Sequence, residues 1–239
     1  MNSTLILIAI IALAALIHAS FQLSVSVLTL MSGHAIGARA SHARLLRITS
    51  GFILGAFATT MLVVAFLAYA SLALLPHVDS RFIWALIAGL MIGLGVAVWL
   101  FYYRRSAGTT LWIPRGMARF LGERAKKTTH ASEGFSLGST SVFAELIFTI
   151  APAAATAYAL ARLPLPLQLS GIIGYTIIAT APLLAVYLLV GGGHKLSRIQ
   201  KWRENNKRFL QFAAGSALVI LGFFVYVYEV VGMFPAGGF

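Results

Sequence analysis

The chain of 239 residues is 59% hydrophobic and only 10% charged, with a mean hydropathy of +0.89 and a formal net charge of +12. Soluble domains carry about 25% charged residues, so this composition excludes an ordinary soluble globular fold and indicates one polytopic, all-α membrane bundle. Cysteine is absent, which excludes disulfides, thiolate metal sites, iron–sulfur clusters and thiol exchange within this subunit.

The first predicted span runs over residues 4–31. Met1 to Thr4 carry no basic residue and the apolar run outlasts a signal-peptide core, so a span is expected here in place of a cleaved signal. Within it His18, Gln22, Ser26 and Thr29 recur at helical spacing, which puts them on one face of a helix otherwise built from Leu, Ile, Ala and Val. Spans two and three are predicted over 48–75 and 82–103. Gly89 with Gly93, and Gly171 with Gly174 further on, are expected to be close-packing positions.

A basic linker over 107–132 separates two halves, 1–106 and 133–239. Inside it Trp112, Ile113, Met117, Phe120 and Leu121 interleave with Arg115, Arg119 and Arg124. In the later basic segment, 194–209, Leu196, Ile199 and Trp202 interleave with Lys195, Arg198, Lys201 and Arg203. Apolar residues three and four apart beside cations predict helices resting on an anionic inner leaflet.

The fourth predicted span, 135–161, carries Ser141, Glu145, Thr149 and Pro152 at the same spacing as the polar stripe of the first. Glu145 is the one acidic residue deep inside any predicted span, and no Lys or Arg falls within a predicted span. An intramembrane carboxylate is costly unless it faces the bundle interior and is neutral, paired or bound to a cation. Three states follow for Glu145: neutral, paired with His18, or holding a transported proton or cation. The plainer alternative is a protonated carboxyl that bridges two helices. Pro152, and Pro182 in the fifth span (167–190), each free a carbonyl one turn back, which suits a binding site beside Glu145. The sixth span is predicted over 209–231.

Of the 18 Lys and Arg, 16 fall in the first, third and fifth loops; only Arg81 and Arg162 fall in the second and fourth. Because cations accumulate on the cytoplasmic side, both termini are expected outside the cytoplasm. The positive charge is therefore a topology signal, and no nucleic-acid partner is expected. His34, His42 and His194 have no acidic partner or ligand spacing and read as loop histidines, so no metal site and no cofactor is predicted. No phosphate loop, nucleophile elbow or zinc-protease motif is present, and no enzyme is expected.

An offset of 120 aligns Ser50, Gly51, Ile53, Thr60 and Ala65 with Ser170, Gly171, Ile173, Thr180 and Ala185 without a gap. An offset of 127 aligns Arg81, Phe82, Leu94, Gly95 and Val98 with Arg208, Phe209, Leu221, Gly222 and Val225. This predicts a duplicated three-span unit, whose odd number of spans makes the copies inverted, with a site near the midplane where they meet. The candidate lining is Glu145, His18, Gln22, Ser26, Thr29, Ser141, Thr149 and Pro152.

The two sets of three spans, the outside termini, the polar first span matched by Ser141 to Pro152 and the basic central loop together resemble the superfamily of small six-span exporters. That superfamily is typified by the lysine exporters and includes the cytochrome-biogenesis thiol carriers. The chain lacks the cysteines of the thiol carriers and reads TLMSG from Thr29 to Gly33. The resemblance implies the fold and a transport role without a substrate. The expected function is a bacterial inner-membrane secondary transporter, a proton- or ion-coupled exporter of a small solute or cation. The alternative is a scaffold or assembly factor, as a homo-oligomer or with a membrane partner, whose basic helices bind lipid or protein.

Overall fold

The computed structural model describes residues 3–21, 25–30, 42–102, 115–192 and 196–232. Among them the regular elements are all helical, and six stretches are long and apolar enough to cross a membrane. The protein is a multi-pass helical membrane protein. Helix α1 (Ser3–Ser20) and the short α2 (25–30) form the first stretch; α3 (His42–Leu74) and α4 (Ser80–Phe101) are the next two. Helix α5 (Arg115–Lys127) is short and basic. Then come α6 (Ala131–Ala161), α7 (Leu165–Gly191) and α8 (Leu196–Val225), which continues into a π-helical turn, Tyr226–Val231.

Helix is the obligatory form for these runs, because hydrocarbon offers no partner to a free backbone N–H or C=O. The ends lying in loops are capped by local chemistry. The Asp79 carboxylate accepts from the Arg81 N–H at 2.9 Å at the start of α4. Glu133 accepts from the Thr129 and His130 N–H groups at 2.7 and 3.2 Å at the start of α6. Pro166 sits in the first turn of α7, where a missing N–H costs nothing.

Two boundaries differ from the sequence expectation. The first stretch is not one helix: α1 ends at Ser20, with the Phe21 N–H closing onto the His18 carbonyl at 3.0 Å, and helix resumes at 25. The basic segment before the sixth span is not a separate interfacial helix either. Residues 196–214 contain neither Gly nor Pro, nothing interrupts the turn-to-turn bonding, and one helix runs from Leu196 to Val225. The sixth membrane-crossing stretch therefore starts at Lys201 and includes Arg203, Lys207 and Arg208, which corrects the expectation that no cation enters a span.

Helix α6 is the central one: 72% of its most apolar window is buried, against 33–50% for the other five stretches. Its most extensive partner is α3, and glycine makes that approach close. Gly51 and Gly55 of α3 abut the backbone carbonyls of Ala131 and Phe135, while Gly134 and Gly138 of α6 abut those of Ile48 and Phe52. Both helices thus present a glycine at every fourth residue to the other's backbone, the small-residue device by which membrane helices gain dispersion contact. Ser139 adds a hydrogen bond from its hydroxyl to the Gly55 carbonyl at 3.3 Å. Of the positions expected to pack closely, Gly171 does, since a Cβ there would come within 2.6 Å of the Leu160 side chain, whereas on Gly89, Gly93 or Gly174 it would meet open space.

Elsewhere α4 packs on α8, α1 on both α6 and α7, and α3 on α7. The α4–α8 contact is polar as well as apolar. The Gln211 amide donates to the Val98 and Trp99 carbonyls at 2.9 and 2.7 Å, and the Trp99 indole N–H donates to the Phe212 carbonyl at 3.1 Å.

Candidate functional site

Glu145 lies in the middle of α6 with 3% of its surface exposed, and His18 lies in the last turn of α1, also buried. Both line one small cavity, together with Phe21, Val25, Thr60 of α3, and Thr180 and Pro182 of α7. Four membrane stretches therefore converge on it. Its volume is about 20 Å³, on a measure by which a single water occupies about 10–15 Å³.

The polar groups around the cavity have distinct bonding states. His18 Nδ1 and the Tyr175 hydroxyl are 2.8 Å apart, with the rings edge-on at 5.6 Å and 62°. The Thr180 hydroxyl donates to the Thr176 carbonyl at 2.8 Å, which consumes its proton and leaves its lone pairs. The Thr60 hydroxyl is buried and has no hydrogen-bond partner among the described residues.

Of the residues singled out from sequence, His18 and Glu145 meet at the cavity. Three of the four hydroxyl residues of the two polar stripes turn back on their own helices. Ser141 donates to the Gly138 carbonyl at 2.7 Å, Thr149 to that of Glu145 at 3.2 Å, and Thr29 to that of Ser26 at 2.9 Å. Ser26 accepts from Arg203 Nη2 at 2.7 Å. Pro152 is buried within α6 but does not line the cavity, whereas Pro182 does. Gln22, His34 and His194, and the side chain of His42, lie outside the described residues. Among the described residues no group of three His, Asp or Glu is placed to hold a metal ion.

Tyr175, Thr60 and Thr180 look in the sequence like ordinary span residues, although Thr60 and Thr180 are partners at the offset of 120. Arg203, expected at a loop surface, is buried, with 2% of its surface exposed. Of the other basic residues singled out, those whose side chains are described are at the surface. Arg119 pairs with Glu123 at 3.2 Å, both well exposed; Arg124 stands over the Phe120 ring at 5.6 Å; Arg198 and Lys201 are exposed. The side chains of Arg115 and Lys195 lie outside the described residues. A larger groove of about 320 Å³ runs between α5 and the start of α6, with Arg124, Lys127 and Glu133 at its polar edge and Phe120 and Leu137 as apolar walls.

No protein-family model, no curated protein and no solved structure matches the chain. Function has to be read from the site itself.

Proposed function

We propose that the protein is a secondary transporter of the bacterial cytoplasmic membrane, a proton- or ion-coupled exporter of a small solute or cation, of the kind the lysine exporter superfamily typifies. Both termini lie outside the cytoplasm and the basic loops inside. The observation that carries this reading is the sharing of one cavity by Glu145 and His18, each near the middle of a different membrane-crossing stretch. A carboxylate there is costly, and exchange of a proton or cation is the role that offsets the cost.

The packing supports an inverted duplication. Exchanging the first stretch with the fourth, the second with the fifth and the third with the sixth turns α3–α6 into α7–α1 and α4–α6 into α8–α1, and leaves α1–α6, α3–α7 and α4–α8 in place; all of these pairs are in contact. The cavity supports it too, since Thr60 with Thr180, and Val25 with Glu145, are offset partners and all four line it. A site on the axis relating two repeats is where such transporters bind their ions.

Proteoliposomes under an imposed pH gradient, scanned with amino acids and divalent cations, test the reading. Flux is expected in wild type and its loss in Glu145→Gln. Equal flux in both would remove Glu145 from coupling, and no flux for any solute would favour the second reading. That second reading is a non-transporting scaffold that binds lipid or protein through its basic cytoplasmic helices, and the groove beside Arg124 and Lys127 supports it.

A further inference from the structure

We infer that the cavity between His18, Thr60, Glu145 and Thr180 is a site for one small monovalent metal cation of sodium size, bound without its full hydration shell. This rests on the transport reading only for its purpose; the site itself follows from size, charge and donor set.

Size comes first. A cavity of about 20 Å³ holds roughly one water, so it admits a bare or singly hydrated ion and no amino acid. Charge comes second. Among the described residues Glu145 is the one carboxylate lining the cavity, and the ionisable groups facing it are His18 of α1 and, through its contact with His18, Tyr175 of α7; the polar group contributed by α3 is Thr60. One carboxylate neutralises one positive charge. A divalent ion would leave an uncompensated charge in a low-dielectric interior.

The donor set separates a metal ion from a proton. A proton carried on Glu145 needs one acceptor, and oxygens beyond that are surplus. The cavity has more: the Thr180 oxygen, whose own proton is committed to Thr176, and the Thr60 oxygen, which is buried with no partner among the described residues. A buried hydroxyl left unpaired is destabilising, and a hard cation, which takes oxygen ligands, would satisfy it.

The test is equilibrium binding of radioactive sodium to the purified full-length protein in detergent at alkaline pH, with proteoliposome flux measured in parallel. Wild type is expected to bind sodium saturably, with lithium competing and an equal concentration of potassium competing at least about tenfold more weakly. Thr60→Val, which keeps the shape and removes the oxygen, is expected to weaken sodium binding about tenfold or more while the protein stays monodisperse. Glu145→Gln is expected to abolish binding. Saturable sodium binding without flux of any solute supports the site and overturns the transport reading. Flux driven by a pH gradient with no sodium binding overturns the site and leaves proton coupling standing. Sodium binding unchanged in a folded Thr60→Val also overturns the proposed ligand set.

Discussion

His18 Nδ1 and the Tyr175 hydroxyl meet at 2.8 Å across the contact between α1 and α7, both side chains buried. Neither residue has another helix's polar group at that distance among the described hydrogen bonds, so each is the other's answer to burial. Tyr175→Phe removes the hydroxyl and leaves the imidazole with one fewer partner in an apolar setting. The expected cost is about 1–3 kcal/mol, read as a lower unfolding temperature of the purified protein in detergent. An unchanged temperature would mean that the ring finds a substitute partner.

The glycine seam predicts a sharp contrast between positions of identical residue type. At Gly55 an added side chain runs into the Phe135 carbonyl, which belongs to a helix backbone and cannot turn aside. Gly55→Val is therefore expected to yield no monodisperse protein in size-exclusion chromatography. Gly89 faces open space, and Gly89→Ala is expected to shift stability by no more than about 1 kcal/mol. Comparable behaviour of the two variants would contradict the α3–α6 packing.

Burial rather than charge decides what an arginine contributes. Arg203 is enclosed and donates to Ser26 at 2.7 Å, whereas Arg198, five residues earlier on the same helix, is exposed. Arg203→Ala is expected to destabilise by about 1.5–3 kcal/mol, through loss of a charge-assisted bond and of the packing of the arginine stem. Arg198→Ala is expected to leave thermal unfolding unchanged. The same pair of melting curves checks both.

The orientation can be read because the chain has no cysteine of its own. His77, in the turn between α3 and α4, and Ser132, at the start of α6, are exposed. With the basic loops inside, His77→Cys is expected to react with a membrane-impermeant maleimide in intact cells, and Ser132→Cys only after the membrane is breached. The reverse pattern would invert the topology.

How much of this was legible in the sequence depended on what each side chain can do for itself. Glu145 and His18 could be found because neither group is easily satisfied by its own helix, so their position in an apolar run implies an external partner. The hydroxyls of Thr29, Ser141 and Thr149 had no such force: serine and threonine can donate to a carbonyl three or four residues back, and these three do. A stripe of hydroxyls at helical spacing therefore does not say which way a site lies. Thr60 and Tyr175 were hidden for the opposite reason, since in a single span they look like core and acquire meaning only when another helix arrives. Arg203 was misplaced because charge density marked a loop, while the lack of any Gly or Pro from Leu196 up to Gly215 let the helix carry it inward.

The seam between α3 and α6 also has a mechanical side. Glycines locked against opposing backbone cannot slide past one another without losing every contact at once, so these two helices move as one bar, although one comes from each half of the chain. That bar carries Thr60 and Glu145; α1 and α7, joined through His18 and Tyr175, carry His18 and Thr180. A movement that opens the cavity must then draw the two bars away from each other. Linking α3 to α6 covalently should then leave such a movement free, while linking α3 to α7 should arrest it.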